Sequence, residues 1–290
     1  MNPLVSTPIP PPSAPAHPPG GIPEVTVMLA HYRCERYLRD AVCSILRQDV
    51  DLALWIIDDC SADDAWLDGI RDLAVDPRVS VYQTTRNVGH YRIKNVLLPL
   101  VRSPLIAFQD ADDISDPPRL RRQLDTMRRS GAAIVGTGFR YIGEHGEQRE
   151  TRRMVRRCNL WLRAGRSFVL LHPTSLIRRD VFDTIGGFDG TARFAADDDF
   201  LLRASMLFRI RNVPEPLYSY RMRPDSLTGS PQTGHASEVR RVYRTAMLAR
   251  AAARRRVRSR AQLLQTLQPP ANDVPFEVSR VWTREAAPCS

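Results

Sequence analysis

Three acidic clusters carry most of the chemistry this chain could perform. Gln109-Asp110-Ala111-Asp112-Asp113 follows the apolar run Leu105 to Phe108. Two carboxylates one residue apart at a strand end can share a cation without crowding. An all-oxygen ligand set favours hard divalent ions, Mg²⁺ or Mn²⁺, which keep water and bridge to phosphates. A solvated acidic turn would read the same way in isolation, so the apolar strand leading into it carries the weight. Asp58-Asp59-Cys60-Ser61 ends a second apolar run, Leu54 to Ile57. A carboxylate there can accept hydrogen bonds from a ribose hydroxyl or a base N–H, and Ser61 or Asp63 can cap the next helix. Asp197-Asp198-Asp199 opens a helix, where the dipole favours negative charge. Three adjacent acids exceed what capping needs, and mutual repulsion raises one toward the pKa of a general base. Arg203 stands one turn beyond Asp199 as an ion-pair partner.

Apolar runs alternating with helical patterns position these clusters. Val25 to Ala30, Leu54 to Ile57, Val79 to Gln83, Leu105 to Phe108 and Ala132 to Val135 read as strands. Helices are expected over 37–48 and 64–74, after the Asn87-Val88-Gly89 turn, and from Pro117-Pro118 with Ser115 or Asp116 as cap. The second half is less regular: a strand over 172–177, helices over 180–185 and 197–208, and one long helix over 237–267. This alternation predicts an α/β fold, a mostly parallel central sheet with helices on both faces and a C-terminal helical extension. Ligands in such sheets bind beyond the carboxyl ends of the strands, where the acids stand.

Composition narrows the function classes. With 290 residues, 43% apolar and 26% charged, the chain can bury a core and is neither wholly disordered nor a polytopic membrane protein. The formal charge of +10 invites an anionic partner. Nine arginines against Glu238 place +8 of it in residues 237–267. Of 42 cations only Lys94 is a lysine, no G-x-x-x-x-G-K-[ST] occurs, and Gly136-x-Gly138 lacks the third glycine of a dinucleotide fingerprint. G-x-S-x-G is absent as well. Five cysteines without a C-x-x-C pair argue against zinc ribbons and for reduced thiols in a cytoplasmic setting. Nine of 23 prolines fall in the first 24 residues, so 1–23 is expected to be a disordered leader, and 271–290 a flexible tail.

Taken in order, the motifs resemble the family 2 glycosyltransferases of the GT-A fold, inverting enzymes that use nucleotide sugars. VTVMLAHYRCERYLRDAVCSILRQ, LWIIDDCSADD, RNVGHYRIKN, LIAFQDADDISDPPRL, HPTSLIRRDVFDTIGGFD, AADDDFLLRA and LYSYRMRPDSLT carry the resemblance over about residues 24–230. The resemblance implies that Asp59 contacts the nucleotide base. His31, Tyr32, Glu35, Asn87, Lys94, Asn95 and Ala111 would line the donor site, and Asp110, Asp112 and Asp113 would hold Mg²⁺ or Mn²⁺ on the diphosphate. Asp197 would be the base, with Asp198 or Asp199 compensating for Ala196, which stands where the family has Glu. Arg223 replaces a His common in the closing segment, so Arg223 or Arg221 is expected on the leaving diphosphate. The implied reaction moves a sugar, UDP-linked by preference, to a glycan, lipid-linked or other hydroxyl acceptor in polysaccharide, lipid or surface-glycan synthesis.

Two rivals compete. A sugar-phosphate nucleotidyltransferase needs a Gly/Lys-rich loop after the first strand, where this chain has His31-Tyr32-Arg33-Cys34-Glu35. A catalytically impaired relative acting as a membrane- or polyanion-binding module is motivated by residues 237–267, as is peripheral contact with the inner face of a membrane. An aromatic content of 7% without an RNA-stacking motif makes nucleic acid a poor partner.

Overall fold

The computed structural model describes residues 21–61, 65–166, 168–224, 226, 234, 237–270 and 276–282. The expected leader therefore lies, apart from its last three residues, outside the described residues, as does Asp63. The strands are β1 (Val25–His31), β2 (Leu52–Asp58), β3 (Val79–Thr84), β4 (Leu105–Asp110), β5 (Ile114–Ser115), β6 (Ile134–Ile142), β7 (Gln148–Arg152), β8 (Leu176–Arg178), β9 (Ile210–Arg221) and β10 (Val278–Trp282). The helices are α1 (Glu35–Leu46), α2 (Ala65–Asp68), α3 (Arg71–Ala74), α4 (His90–Leu97), α5 (Arg119–Ser130), α6 (Cys158–Arg163), α7 (Arg179–Ile185), α8 (Ala196–Ala204), α9 (Glu238–Arg254) and α10 (Arg260–Thr266).

One sheet runs in the order β10-β3-β2-β1-β4-β8-β6-β9-β5, with β7 beside β6. Pairing is parallel through β3, β2, β1 and β4 and mixed beyond. The expectation of a mostly parallel sheet thus holds for the first half and gives way to a mixed sheet in the second. Strands covered on both faces read as continuous apolar runs, and β2 is buried at all seven positions. One face of the sheet packs Val25, Val27 and Leu29 against α1 and α5, and the other packs Met28 and Phe108 against α4, α7 and α8.

Register brings the acids together. His31 of β1 pairs with Asp58 of β2, and Ala30 pairs with Asp110 of β4. Both acidic strand ends therefore flank the end of β1. The three described non-glycine residues in the left-handed region, Arg33, Cys60 and Ala195, follow β1, follow β2 and precede α8. Such strained positions cost free energy and cluster at functional sites.

Several expected elements differ. The helix over 64–74 is two short ones, α2 and α3. The segment 172–177 is a 3₁₀ turn over 172–174 followed by β8. Neither Ser115 nor Asp116 caps α5: Ser115 belongs to β5, and Asp116 pairs with Arg140. β9 escapes a pattern reading because Pro214 and Pro216 argue against a strand. Register shifts in β6 around Gly138 accommodate them, and a Cβ there would sit 2.4 Å from the Pro214 carbonyl oxygen. The long C-terminal helix breaks at 255–259, where Ser259 caps α10. Nor is it a detached extension: Met247, Ala251 and Leu267 enter the core that holds Phe200 of α8. Val278–Trp282, read as flexible tail, pairs antiparallel with β3. Cys34, Cys43, Cys60 and Cys158 are free thiols, and no described helix is long and apolar enough to cross a membrane.

Candidate active site

The first acidic strand end is saturated. The Asp58 carboxylate accepts from Ser61 N at 2.9 Å, Ser61 Oγ at 2.5 Å and Gln83 Nε2 at 3.2 Å, so Ser61 serves the turn rather than capping a helix. Asp59, buried, accepts from Val88 N at 2.8 Å, Gly89 N at 2.7 Å and Asn87 Nδ2 at 3.1 Å, while Thr84 Oγ1, 3.3 Å away, has a nearer acceptor in the Arg86 carbonyl at 2.9 Å. These bonds tie Asp59, the acid expected on the nucleotide base, into the turn that starts α4. Asn87 belongs to the same lattice, its Oδ1 accepting from Arg193 Nη2 at 2.9 Å.

Asn95 is likewise occupied. Its Nδ2 donates to the Phe188 carbonyl at 2.7 Å and its Oδ1 accepts from Phe188 N at 2.8 Å, a clamp on the loop before α8. A Cβ on Gly187 would lie 2.2 Å from that Oδ1, which is why glycine stands there. His31 is buried without a hydrogen bond at either ring nitrogen, and burial lowers its pKa to about 4. Tyr32 is exposed, and Glu35 lies in the first turn of α1 and lines a cavity with Arg223.

The second strand end is different. Lys94, fully buried, sets its Nζ 3.3 Å from His172 Nε2, 3.5 Å from His90 Nδ1 and 4.7 Å from the Phe108 ring centroid. Burial lowers the ammonium pKa, while Asp110 and Asp197 pull it back up. Both histidines are held neutral, first by burial and then by the Lys94 charge. Burial pushes the Asp110 carboxyl up; Lys94 opposes the shift, and Asp112 and Asp197 reinforce it. Asp112 accepts from Arg223 Nε at 2.7 Å. Three carboxylates from β4, its following turn and α8 thus share one neighbourhood with Lys94 and Arg223.

Asp197, in the first turn of α8, accepts a 2.6 Å hydrogen bond from Tyr91 OH. Beside it Asp198 is raised to about 7, first by burial and then by the Asp197 charge, with Arg244 and Arg240 opposing. Asp199 cannot compensate for Ala196: it is buried against Arg203 at 2.7 Å, with Arg250 at 3.4 Å and Arg254 at 3.6 Å. Arg203 also donates to the carbonyls of Ile185, Gly187 and Leu267, locking α8 to its neighbours. Ala196 itself packs in the core.

Asp113, expected on the metal, and Arg221, expected with Arg223 on the diphosphate, meet each other. Asp113 is buried, its Oδ1 accepting from Arg221 N at 2.8 Å, while its Oδ2 has no hydrogen-bond partner and the carboxyl is raised by burial first and then by the Asp112 and Asp110 charges. Arg221 donates to the carbonyls of Asp112, Gly143 and Glu144, which leaves Arg223 as the cation facing the site. Arg223 borders a cavity of about 380 Å³ lined also by Arg33, Cys34, Glu35, Tyr37 and Glu144. Among the described residues no group of three His, Cys, Asp or Glu side chains is placed to hold a metal. Asp110 and Asp112 still fit Mg²⁺ or Mn²⁺. They are a paired oxygen donor set, Arg223 engages only one Asp112 oxygen, and such ions fill remaining positions with water and substrate phosphate. Tyr91 and His90 were missed by sequence reading, because one hydroxyl and one imidazole after a glycine turn carry no spacing signal. His172 is buried and packs against Lys94.

Comparisons with known proteins bear on the family and the fold. Residues 26–196 match the family described as Glycosyl transferase family 2. The O-antigen biosynthesis glycosyltransferase WbnJ of Escherichia coli is 30% identical over 207 residues, 68% of this chain and 79% of WbnJ. The succinoglycan biosynthesis protein ExoO of Rhizobium meliloti is 27% identical over 71% of this chain and 63% of its own length. The chain thus spans less than two thirds of that relative. Among solved structures, residues 1–349 of S. aureus TarS with UDP-GlcNAc superimpose with a TM-score of 0.63 at 18% identity, over 84% of this chain and 70% of TarS. The mannosyltransferase PcManGT of Pyrobaculum calidifontis, solved with GDP-Man and Mn²⁺, gives 0.59 at 18% identity, over 87% and 70%. These likenesses establish the GT-A-type fold.

Proposed function

Because the chain belongs to glycosyl transferase family 2, we propose that it moves a sugar from a nucleotide-diphosphate donor to a hydroxyl acceptor with inversion at the anomeric carbon. The observation that supports this reading is the meeting of Asp110, Asp112 and Asp197 around Lys94 and Arg223, at the carboxyl end of the parallel strands. Asp197 takes the proton from the acceptor hydroxyl as that oxygen attacks, and Tyr91 holds the carboxylate in place. The bond from the anomeric carbon to the diphosphate oxygen breaks in the same step, and Arg223 stands ready to offset the charge that develops on the leaving group. Asp110 and Asp112 would hold Mg²⁺ or Mn²⁺, which supplies further charge neutralisation at the diphosphate. Lys94 feels the charges of both the donor-side Asp110 and the base-side Asp197, and its own charge favours the ionised form of Asp110.

A UDP-sugar is the preferred donor, and a glycan or lipid-linked hydroxyl the acceptor, for synthesis of a polysaccharide or surface glycan in the cytoplasm. Titrating the protein with UDP-, GDP- and dTDP-sugars, with and without Mn²⁺, and following its melting temperature tests donor and metal together. Stabilisation by one nucleotide only with the metal is expected. Asp197→Asn should keep that stabilisation and lose transfer by about 10²–10⁴-fold; near-normal turnover would remove Asp197 as the base.

A further inference from the structure

Between Thr151 and Arg179 the chain carries eight arginines and no carboxylate. The near-neutral sum of charges before Ser237 conceals this stretch, because acids elsewhere balance it. Elsewhere several arginines meet acids, Arg36 with Glu144, Arg39 with Asp72, Arg78 with Asp76 and Arg140 with Asp116, while others such as Arg47, Arg102, Arg122 and Arg129 stand exposed without one, so the stretch is set apart by its lack of acids. The basic stretch is paired only at its ends, by Arg152 with Glu150, Arg178 with Asp180 and Arg179 with Asp183. Arg153, Arg156, Arg157, Arg163 and Arg166 in its middle are exposed and form no ion pair with a described carboxylate.

Large apolar side chains stand among them. Leu160 is 59% exposed, Trp161 40% and Phe168 52%. α6 already turns Cys158 and Leu162 into the core, so its outward Leu160 and Trp161 are a second apolar face rather than a displaced inner one. The Arg166 guanidinium lies 4.7 Å from the Trp161 ring centroid, and Arg166 N donates to the Trp161 carbonyl at 3.0 Å. Arg255 Nη2 donates to the Leu162 carbonyl at 2.5 Å, which brings the α9–α10 corner, with exposed Arg256, Arg258 and Arg260, to the same edge.

An acid-free cationic rim around Trp, Leu and Phe complements one kind of surface. Guanidinium groups meet lipid phosphates, while aromatic and aliphatic side chains settle at the boundary between headgroup and acyl chain. A nucleic acid would engage the arginines but has no use for Leu160. We propose that α6, Arg166, Phe168 and the α9–α10 corner form a docking face for an anionic phospholipid bilayer. This replaces the outward face of α9 as the membrane-facing element, since Arg250 and Arg254 of that helix are committed to Asp199. The docking face rests on charge and exposure alone. Its assay is vesicle binding rather than sugar transfer, so its failure and that of the transferase reading show in different measurements.

The test uses the full chain with vesicles of phosphatidylcholine and vesicles in which phosphatidylglycerol replaces part of it. Sedimentation with the anionic vesicles only is expected, with a blue shift of tryptophan fluorescence that Trp161→Phe removes; Trp55 and Trp66 are buried and report no insertion. Leu160→Ser with Phe168→Ser should weaken vesicle binding about tenfold without moving the melting temperature. Arg163→Gln with Arg166→Gln should weaken the preference for anionic lipid. Val239→Ser with Val242→Ser, on the outward face of α9, should leave binding unchanged. Equal binding to neutral vesicles, absence of the Trp161 shift, or a larger loss from the α9 variant would overturn the proposal. So would binding to heparin that matches vesicle binding and ignores Leu160 and Phe168, the mark of a general polyanion site.

Discussion

The ends of β2 and β4 look alike in sequence and behave as opposites in the fold. Each is an apolar strand running into paired acids, and the register of β1 holds them side by side. At the β2 end Asp59 accepts from Val88 N, Gly89 N and Asn87 Nδ2, and Asp58 from Ser61 N, Ser61 Oγ and Gln83 Nε2 among others, so their charge is met by donors within the chain. At the β4 end Asp110 and Asp112 meet another carboxylate, Asp197, with Lys94 and Arg223 as the nearby cations. Saturated acids build the turn that positions α4; acids short of partners are the ones able to take up a ligand. Polar groups in one site thus divide by what remains unsatisfied, not by residue type.

Substitution to the neutral isostere separates the two ends most sharply. Asp112→Asn should leave the melting temperature nearly unchanged and lower transfer by about 10²-fold or more, the scale of several kcal/mol of lost charge complementarity. Asp59→Asn should do the reverse. Its new NH₂ must face either the Val88 N–H or the N–H donors of Gly89 and Asn87, leaving a buried donor without a partner at about 1–3 kcal/mol. That corresponds to a fall of roughly 2–12 °C for a chain of this size. The contrast fails if Asp59→Asn melts normally while losing donor binding, for then the Asp59 carboxylate would be a ligand group after all.

Asn95 extends the saturated class to an amide read from sequence as a donor contact. Asn95→Ala removes both bonds to the Phe188 backbone and should destabilise by about 1–3 kcal/mol. The donor KM, measured below the melting transition, should move less than kcat, because the loop that Asn95 clamps leads to Asp197 and not to the nucleotide. A pure KM effect would place the amide on the donor.

How far a sequence discloses a site follows from the same division. β1, β2 and β4 are legible because a strand covered on both faces must be apolar throughout, and the acids that end it then stand out. Whether those acids are free is set by contacts far along the chain: Asp59 by Val88 and Gly89, Asp113 by Arg221. No spacing rule shows such partners. β9 is illegible for another reason, since its prolines are tolerated only through bulges opposite Gly138. Gly136-x-Gly138, judged only against a dinucleotide fingerprint, marks close packing instead, a Cβ on Gly136 falling 2.4 Å from Asn212 Oδ1. Net charge misled in both directions. The arginines of α9 include two that neutralise Asp199 inside the fold, and the near-neutral remainder averages over an acid-free arginine stretch.

The smallest effect concerns Asp198, which lies between the two classes. It is half-buried beside Asp197, and its carboxyl is raised to about 7, by burial first and the Asp197 charge second. In the unfolded chain the group titrates near 4. Between about pH 4 and about pH 7 the folded protein therefore holds a proton that the unfolded chain has released, so stability falls as pH rises through that window and levels off above it. Asp110, Asp113 and Asp59 are raised as well, so the wild-type slope is a sum, and the difference between variants isolates one group. Asp198→Asn should flatten melting temperature against pH between 4 and 7 relative to wild type. Arg244→Gln removes a charge that favours the ionised form and should carry the fall to higher pH. Parallel curves for wild type and Asp198→Asn would mean that Asp198 is ionised throughout. Its charge would then be met by the α9 arginines, as that of Asp199 is, and Asp197 would be the acid of the α8 first turn left short of a cation of its own.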